Sequence, residues 1–293
     1  MAMLEETRAT PASSATGWRE TWRRLKKNRG AVIGLYIVLA LTFVALFAPY
    51  LAPYDFKTQN LDNRLLPPER GHWLGTDDFG RDTLSRIIYG TRVSFQIGLI
   101  SVGIGLAIGV TAGLISGYYG GILDKVIMGF TDVVLAFPGI LLAIAIVAVL
   151  GPGLYNVMVA VGLRSAPTYA RLVRGSVMSL REKEFVESSR AVGCTNGRIL
   201  AVHILPNVVA PVLVMSTLQF ATSILTAAGL SFLGLGAQPP IPDWGDMINR
   251  ARVYLRTAWW VGTFPGVAIM LSVLGFNLFG DGLRDALDPR LKA

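Results

Sequence analysis

"EFVESSRAVGCTNGRILAVHILPNVVAPV", residues 184–212, lies between two long apolar stretches, and the rest of the chain is read outward from it. The segment "LREKEFVESSRA" (Leu180–Ala191) is a good helix former with no glycine or proline. Gly193 breaks that helix. Thr195 or Asn196 can cap a second one, which runs through "GRILAVHIL" until Pro206 is expected to stop it. A helix–turn–helix this polar cannot cross a bilayer, so it is expected to protrude from one membrane face as an elbow. Gly193 would supply a turn that a β-carbon resists. Ser188, Ser189 and Ala191 are small enough for a knob that enters another protein's groove, and an inert connection of roughly 35 residues would be unusually long.

The composition around the elbow is that of a membrane protein. The chain has 293 residues, 52% hydrophobic and 16% charged, with a mean hydropathy of +0.51. Soluble domains carry about 25% charged residues, so this chain lacks the polar groups to cover a water-facing surface. The net charge of +8 does not call for nucleic acid as a partner, because the cations cluster beside apolar runs, as orientation by the positive-inside rule requires. Cys194 is the single cysteine, which excludes an internal disulfide and a cysteine-based metal site. His72 and His203 are far apart in sequence and belong to no HExxH pattern. No cofactor or metal is expected on this chain.

A spanning helix needs about 20 mostly apolar residues, and six such runs are expected: Ala31–Leu51, Val93–Tyr118, Val126–Leu150, Leu154–Leu172, Val208–Leu233 and Trp259–Phe279. The fourth is the weakest, since it contains Arg164 and Pro167. Ahead of the first run, "WRETWRRLKKNR" (Trp18–Arg29) supplies six cations. A cleaved signal peptide would need a shorter lead and a shorter apolar core, so an uncleaved span is expected. Six crossings put both termini on one side. Seventeen of the 27 cations then fall on that side, nine fall opposite, and Arg164 lies within a span. The bias places both termini and the elbow in the cytoplasm.

Small residues and prolines say how these helices can pack. Gly105, Gly109, Gly113 and Gly117 recur every four residues, with Ser101 one step earlier. Lipid gives helices no hydrophobic drive to associate, so a glycine ridge reads as a close-approach face, within the chain or against a partner. A dinucleotide loop through Gly103, Gly105 and Gly109 fails because no strand precedes it. "AFPG" (Ala136–Gly139) and "TFPG" (Thr263–Gly266) echo one another. Pro138 and Pro265 would kink their helices, which suits either a cavity lining or plain packing. Asp132 is expected to pair with Arg171 or Arg174, or to face the transport pathway. Arg164 lies deeper, where a charge must face protein or water. It is a candidate to attract a carboxylate of the cargo, with an internal ion pair or snorkelling as the alternative.

On the opposite side, "LGTDDFGRDTLSR" (Leu74–Arg86) holds a tight turn bracketed by Gly75 and Gly80. Thr76, Asp77 or Asp78 is expected to cap the next helix, with Asp82 and Arg86 as a supporting i,i+4 pair. The aspartate spacing does not match a calcium loop. "QPPIPDWGDM" (Gln238–Met247) reads as a rigid proline loop on the same side.

The elbow resembles the loop of bacterial ABC importer permeases, Glu-Ala-Ala, three residues, Gly, nine residues, Ile, any residue, Leu-Pro. Here it reads Glu187-Ser188-Ser189, Gly193, His203, Leu205 and Pro206, with every spacing kept. The departures are Ser-Ser for Ala-Ala and His203 for Ile. "HWLGTDDFGRDTLSRIIYGTRVSF" (His72–Phe95), "LSFLGLGAQPPIPDWGDMI" (Leu230–Ile248) and "FNLFGDGLRDALDPRL" (Phe276–Leu291) are similar to the dipeptide/oligopeptide (peptide and nickel) subfamily, in which this chain resembles the smaller, C-type permease of the pair. The resemblance implies an all-α integral membrane protein with the type I importer permease fold, multi-pass in the bacterial plasma (inner) membrane. It implies a cytoplasmic tail over 1–30, a first helix over 31–51, an extracytoplasmic segment over 52–92, a five-helix core over 93–281 with the coupling loop at 180–206, and a cytoplasmic tail over 282–293. It also implies a non-catalytic subunit paired with a second homologous permease, two cytoplasmic ATPases that use ATP and Mg, and an extracytoplasmic substrate-binding protein that contacts the outer loops. Glu187, Ser188, Ser189, Arg190, Ala191 and Gly193 would form the coupling helix in an ATPase groove. Peptide is the default cargo, with glutathione or a nickel complex as alternatives.

Independently of the resemblance, the chain contains no GxxxxGK[ST] loop and no Ser/His/Asp or paired-carboxylate constellation. A membrane-embedded enzyme is therefore disfavoured. A channel or ion-coupled transporter would show inverted repeats and paired intramembrane carboxylates, of which Asp132 is an isolated instance.

Overall fold

The computed structural model describes residues 14–287, so the ends of both expected cytoplasmic tails lie outside the described residues. It is all-helical, and the β pairing among the described residues is confined to two isolated bridges, Glu69–His72 and Thr76–Asp82. In chain order the helices are α1 (Ser14–Lys27), α2 (Arg29–Leu51), α3 (Thr83–Tyr119), α4 (Gly121–Ala136), α5 (Gly139–Leu150), α6 (Leu154–Arg181), α7 (Glu184–Ala191), α8 (Asn196–Arg198), α9 (Leu205–Phe232), α10 (Trp244–Ala251) and α11 (Trp260–Leu287). Helix α8 passes through a π-helical turn, Ile199–Ile204, into α9. Among the described residues four helices are long and apolar enough to cross a membrane: Arg29–Leu51, Thr83–Tyr119, Asn196–Phe232 and Trp260–Leu287. The pair α4 and α5 reaches that standard together, but with a 96° bend between them. Pro138 therefore ends one helix and opens another, a far sharper feature than the kink the sequence suggests. Phe137 is extended, and the Leu142 N–H reaches back to the Pro138 carbonyl.

The glycine ridge seats α3 on α6 of the same chain. A β-carbon on Gly113 would fall 2.6 Å from the Ala170 carbonyl oxygen, and one on Gly117 would fall 2.8 Å from Val177 Cβ. Gly109 would collide with the Ala166 carbonyl. Gly162 reciprocates from α6, its β-carbon position 2.7 Å from Ile104 Cβ, and the Ser101 hydroxyl donates to the Met158 carbonyl at 3.0 Å. Residue numbers rise together along this seam, from 101 with 158 to 117 with 177, so α3 and α6 run parallel. Helix α2 lies antiparallel on α11, with Gly34 against Phe279 and Ala31 against Gly282. A triad of rings, Phe95, Phe220 and Phe276, ties α3, α9 and α11 at centroid separations of 4.1–5.7 Å.

The first and fourth expected runs differ in a way hydropathy does not predict. Helix α2 buries only Ala31, Gly34, Ala45 and Ala48, whereas α6, with Arg164 and Pro167 inside it, buries twelve residues and is one continuous helix of 28. A helix surrounded by protein can carry polar groups and a proline because its neighbours satisfy them.

At the end of the bundle where α3 begins, Asp82 caps that helix, accepting from the Ser85 N–H at 2.8 Å and meeting His72 Nδ1 at 2.9 Å. The expected cap at Thr76–Asp78 and the expected Asp82–Arg86 pair are both corrected. Arg86 turns to Asp77 (3.4 Å), which also holds Arg81 (2.7 Å), because Asp82 is already committed to the cap. Asp77, Arg81 and Arg86 are all buried. Gly75 and Gly80 bracket the turn as expected, at φ +73° and +68°. Asp243 caps α10 through the Gly245 N–H and accepts from the Ser231 hydroxyl.

Candidate functional site

The elbow is built on the end of the bundle where α6 stops and α9 begins. Its first helix is shorter than the sequence suggests. Helix α6 ends at Arg181, Lys183 is extended, and α7 starts anew at Glu184. The turn that follows is a Schellman motif. The Gly193 N–H bonds to the Arg190 carbonyl (2.9 Å) and the Cys194 N–H bonds to the Ser189 carbonyl (3.0 Å), with Gly193 at φ +85°. No heavy atom lies within 4 Å of a β-carbon placed there, so the demand for glycine is purely conformational.

One face of the elbow is nailed down and the other is presented. Val186, Ile199 and Ile204 join Tyr118, Val173, Val177 and Val208 in a single buried cluster. Glu187, Ser188, Arg190 and Ala191 are exposed, and Val192 is 84% exposed at the tip. Ser189 is half-buried, its hydroxyl donating to the Phe185 carbonyl. Tyr118, at the end of α3, clasps both arms. Its hydroxyl donates to Asn196 Oδ1 at 2.8 Å, and the Arg190 guanidinium lies 5.4 Å from its ring centroid. Arg181 donates to the Tyr118 carbonyl at 3.3 Å. Tyr118 carries no motif of its own, and its position at the end of an apolar run was the sole hint in the sequence.

Pro206 does not stop the second arm. The π turn Ile199–Ile204, closed by the Leu205 N–H on the Leu200 carbonyl, lets the helix pass through a residue that lacks an N–H. Pro206 then sits in the first turn of α9, where proline is tolerated. His203 is half-buried in the π turn, and its carbonyl accepts from the Asn207 side chain at 2.7 Å. Leu205 is half-buried beside it.

The four candidate pathway residues do not form one cluster. Arg164 donates from Nη1 to the Thr226 hydroxyl of α9 at 3.1 Å, and its guanidinium covers Gly139 of α5, next to Pro138. Among the described residues it has no carboxylate partner. Asp132 pairs with Arg171 at 2.7 Å on an exposed face. Arg174 goes instead to Asp124, a bidentate pair at 2.6 and 2.7 Å that also involves the Ser116 hydroxyl and that the sequence reading missed. Pro265 is buried in α11, which packs chiefly on α2, α9 and α10.

Comparison with known proteins bears directly on this geometry. Residues 109–293, more than half of the chain and including the whole elbow, match the family described as binding-protein-dependent transport system inner membrane component. The chain belongs to that family. Residues 16–68 also match the N-terminal transmembrane domain of oligopeptide transport permease C. The permease is 51% identical over 281 residues to the dipeptide transport system permease protein DppC of Alkalihalophilus pseudofirmus, covering 96% of this chain and 92% of that one. It is 51% identical over 282 residues to the glutathione transport system permease protein GsiD of Pectobacterium atrosepticum (96% and 94%). It is 49% identical over 280 residues to the di/tripeptide permease DppC of Pseudomonas aeruginosa (94% and 92%). A chain of the MetNI methionine ABC transporter in an inward-facing conformation superposes with a TM-score of 0.56 at 18% identity, covering 70% of this permease and 98% of that chain. At that identity the likeness speaks for the fold alone. With its apolar spans, the permease is a multi-pass membrane protein of an inner-membrane transport family.

Proposed function

We propose that this chain is the C-type permease subunit of an ATP-driven, binding-protein-dependent importer that moves small peptides into the cytoplasm. The observation that carries the reading is the elbow: a short helix held by a buried apolar cluster on one side and offering Glu187, Ser188, Arg190 and Ala191 on the other. That is the shape of a lever seated in a separate motor. The partners are a second homologous permease, two cytoplasmic ATPases that use ATP and Mg, and an extracytoplasmic binding protein that delivers cargo. Dipeptide and glutathione relatives support peptide-like cargo, and a nickel complex is the alternative within the same architecture.

Six crossings with both termini in the cytoplasm fit the packing. Parallel α3 and α6 require the chain between them to return across the layer, which favours α4 and α5 together as one broken span over a re-entrant loop. Within that bundle Arg164, without a carboxylate partner among the described residues, would attract the carboxylate of a peptide beside the Pro138 bend. Asp132 and Pro265 have weaker grounds for a pathway role. The test is co-purification of the ATPase subunits with wild type and with Glu187→Lys, together with labelled-peptide uptake. Association lost at normal permease expression supports the lever. Association and uptake retained in Glu187→Lys would remove it. Uptake unchanged in Arg164→Gln would remove the cargo role of Arg164 alone.

A further inference from the structure

Helix α1 precedes the first span with Asn28 as the single residue between them. Asn28 caps α2, its side chain accepting from the Ala31 N–H at 3.2 Å. Leu25 of α1 is buried against Ala31 and Ala286, so the helix folds back onto the ends of α2 and α11 at the membrane boundary. Along α1, Glu20, Arg23, Arg24 and Lys27 form an i, i+3, i+4, i+7 stripe facing Gly282, Asp285 and Ala286 of α11, with a groove of about 580 Å³ between them. Arg24 is paired with Glu20 at 2.7 Å, and Asp285 meets the Asn28 amide at 3.2 Å. Arg23 and Lys27 have no carboxylate partner among the described residues and are exposed. On the adjoining face Trp22 is half-exposed, with Lys26 Nζ 5.2 Å from its ring centroid.

We propose that α1 and the carboxyl end of α11 form a binding site for the phosphate headgroup of an anionic membrane lipid. Three cations against two carboxylates, Glu20 and Asp285, leave the groove net basic, with Arg23 and Lys27 available to an anion. Arg23, Arg24 and Lys27 line a groove of headgroup size at the depth where headgroups lie. Trp22 has the amphipathic ring that prefers that layer. Cations beside a span are attracted to an anionic leaflet with an energy that makes each of them count. Connectivity to α2 holds the groove at the interface on whichever side it faces, so the site does not depend on the coupling role of the elbow. Its occupant would splint α1 to α11.

The experiment exchanges the purified full-length permease into vesicles of equal phosphatidylglycerol and phosphatidylcholine and re-extracts it. The retained lipid ratio is measured by mass spectrometry for wild type, Arg23→Gln/Arg24→Gln/Lys27→Gln and the charge-keeping Arg23→Lys/Arg24→Lys. Wild type and the lysine variant should retain phosphatidylglycerol, and the glutamine variant should lose about tenfold in enrichment, less than three fully exposed contacts would give, with unchanged helical circular dichroism. Equal enrichment in wild type and the glutamine variant overturns the site. Should that variant fail to fold, wild-type enrichment is followed as salt rises from 50 to 500 mM; a steep fall supports the site and a flat response overturns it. A further arm adds inorganic phosphate to wild type without lipid. If millimolar phosphate raises the melting temperature as far as phosphatidylglycerol does, the groove takes soluble anions and the lipid assignment fails.

Discussion

The two ends of the bundle are fastened by opposite chemistry. The end where α3 begins is locked by buried charge: Asp77, Arg81 and Arg86 share one network, and Asp82 and Asp243 cap α3 and α10. The opposite end, the elbow, rests on an apolar cluster and keeps its charges exposed. A buried polar network fixes one geometry, because every group removed strands another. An apolar seat tolerates changes on its far face, leaving that face free to be specified by a partner. The end where α3 begins is thus built as a frame, and the elbow end keeps one face free.

The sharpest way to break the comparison is Asp77→Ala, which strands the buried Arg86 guanidinium and leaves Arg81 only a longer contact to Asp78 at 3.7 Å. Removing one partner from a buried pair costs roughly 3–5 kcal/mol, so detergent-solubilised permease should lose most of its stability in chemical unfolding. Between the two ends, Gly113→Val should cost about 1–3 kcal/mol by overpacking the α3–α6 seam, read in the same unfolding experiment. At the elbow Gly193→Ala should cost about 1–2 kcal/mol, the left-handed penalty of a β-carbon, and should leave the fluorescence of Trp244 and Trp260 at the far end unchanged.

Acidity separates the ends more gently. Burial pushes the Asp243 carboxyl up from 3.8 to about 6, against hydrogen bonds from Ser231, Gly245 and Asp246 that lower it. Its protonated form is favoured by folding. The stability it contributes is therefore full below pH about 4 and is lost as pH rises to about 6. Asp243→Asn should flatten the pH profile of the melting temperature over that window. The smallest effect on stability belongs to Glu187→Lys, an exposed change expected within about 0.5 kcal/mol of wild type, measured by the same melt. A large destabilisation there would mean the elbow's exposed face is part of the frame.

Much of this was legible in advance, for reasons tied to particular residues. The glycine ridge predicted a close helix contact because glycine at every fourth position puts bare backbone on one face. Gly193 predicted a turn because its neighbours are helix formers and it alone tolerates positive φ cheaply. Other readings failed where two groups compete for one partner. Arg86 lay four residues from Asp82, but Asp82 was taken by the helix cap, and Arg86 found Asp77 instead. Pro206 looked like a stop, yet a π turn absorbed it. Arg171 and Arg174 were both offered to Asp132; Arg171 took it, and Arg174 went to Asp124.

By itself the sequence determined the class: apolar runs too long and too poor in charge for water, a polar elbow too hydrophilic to be buried in lipid, and glycine spacing that demands close packing. These follow from local composition and period, which act over a few residues. Tertiary structure alone decided that the ridge meets α6, that the Pro138 break reaches 96°, and that Tyr118 clasps both arms of the elbow. Each of these depends on which distant group arrives first at a shared partner, a competition settled by the packing of the whole bundle.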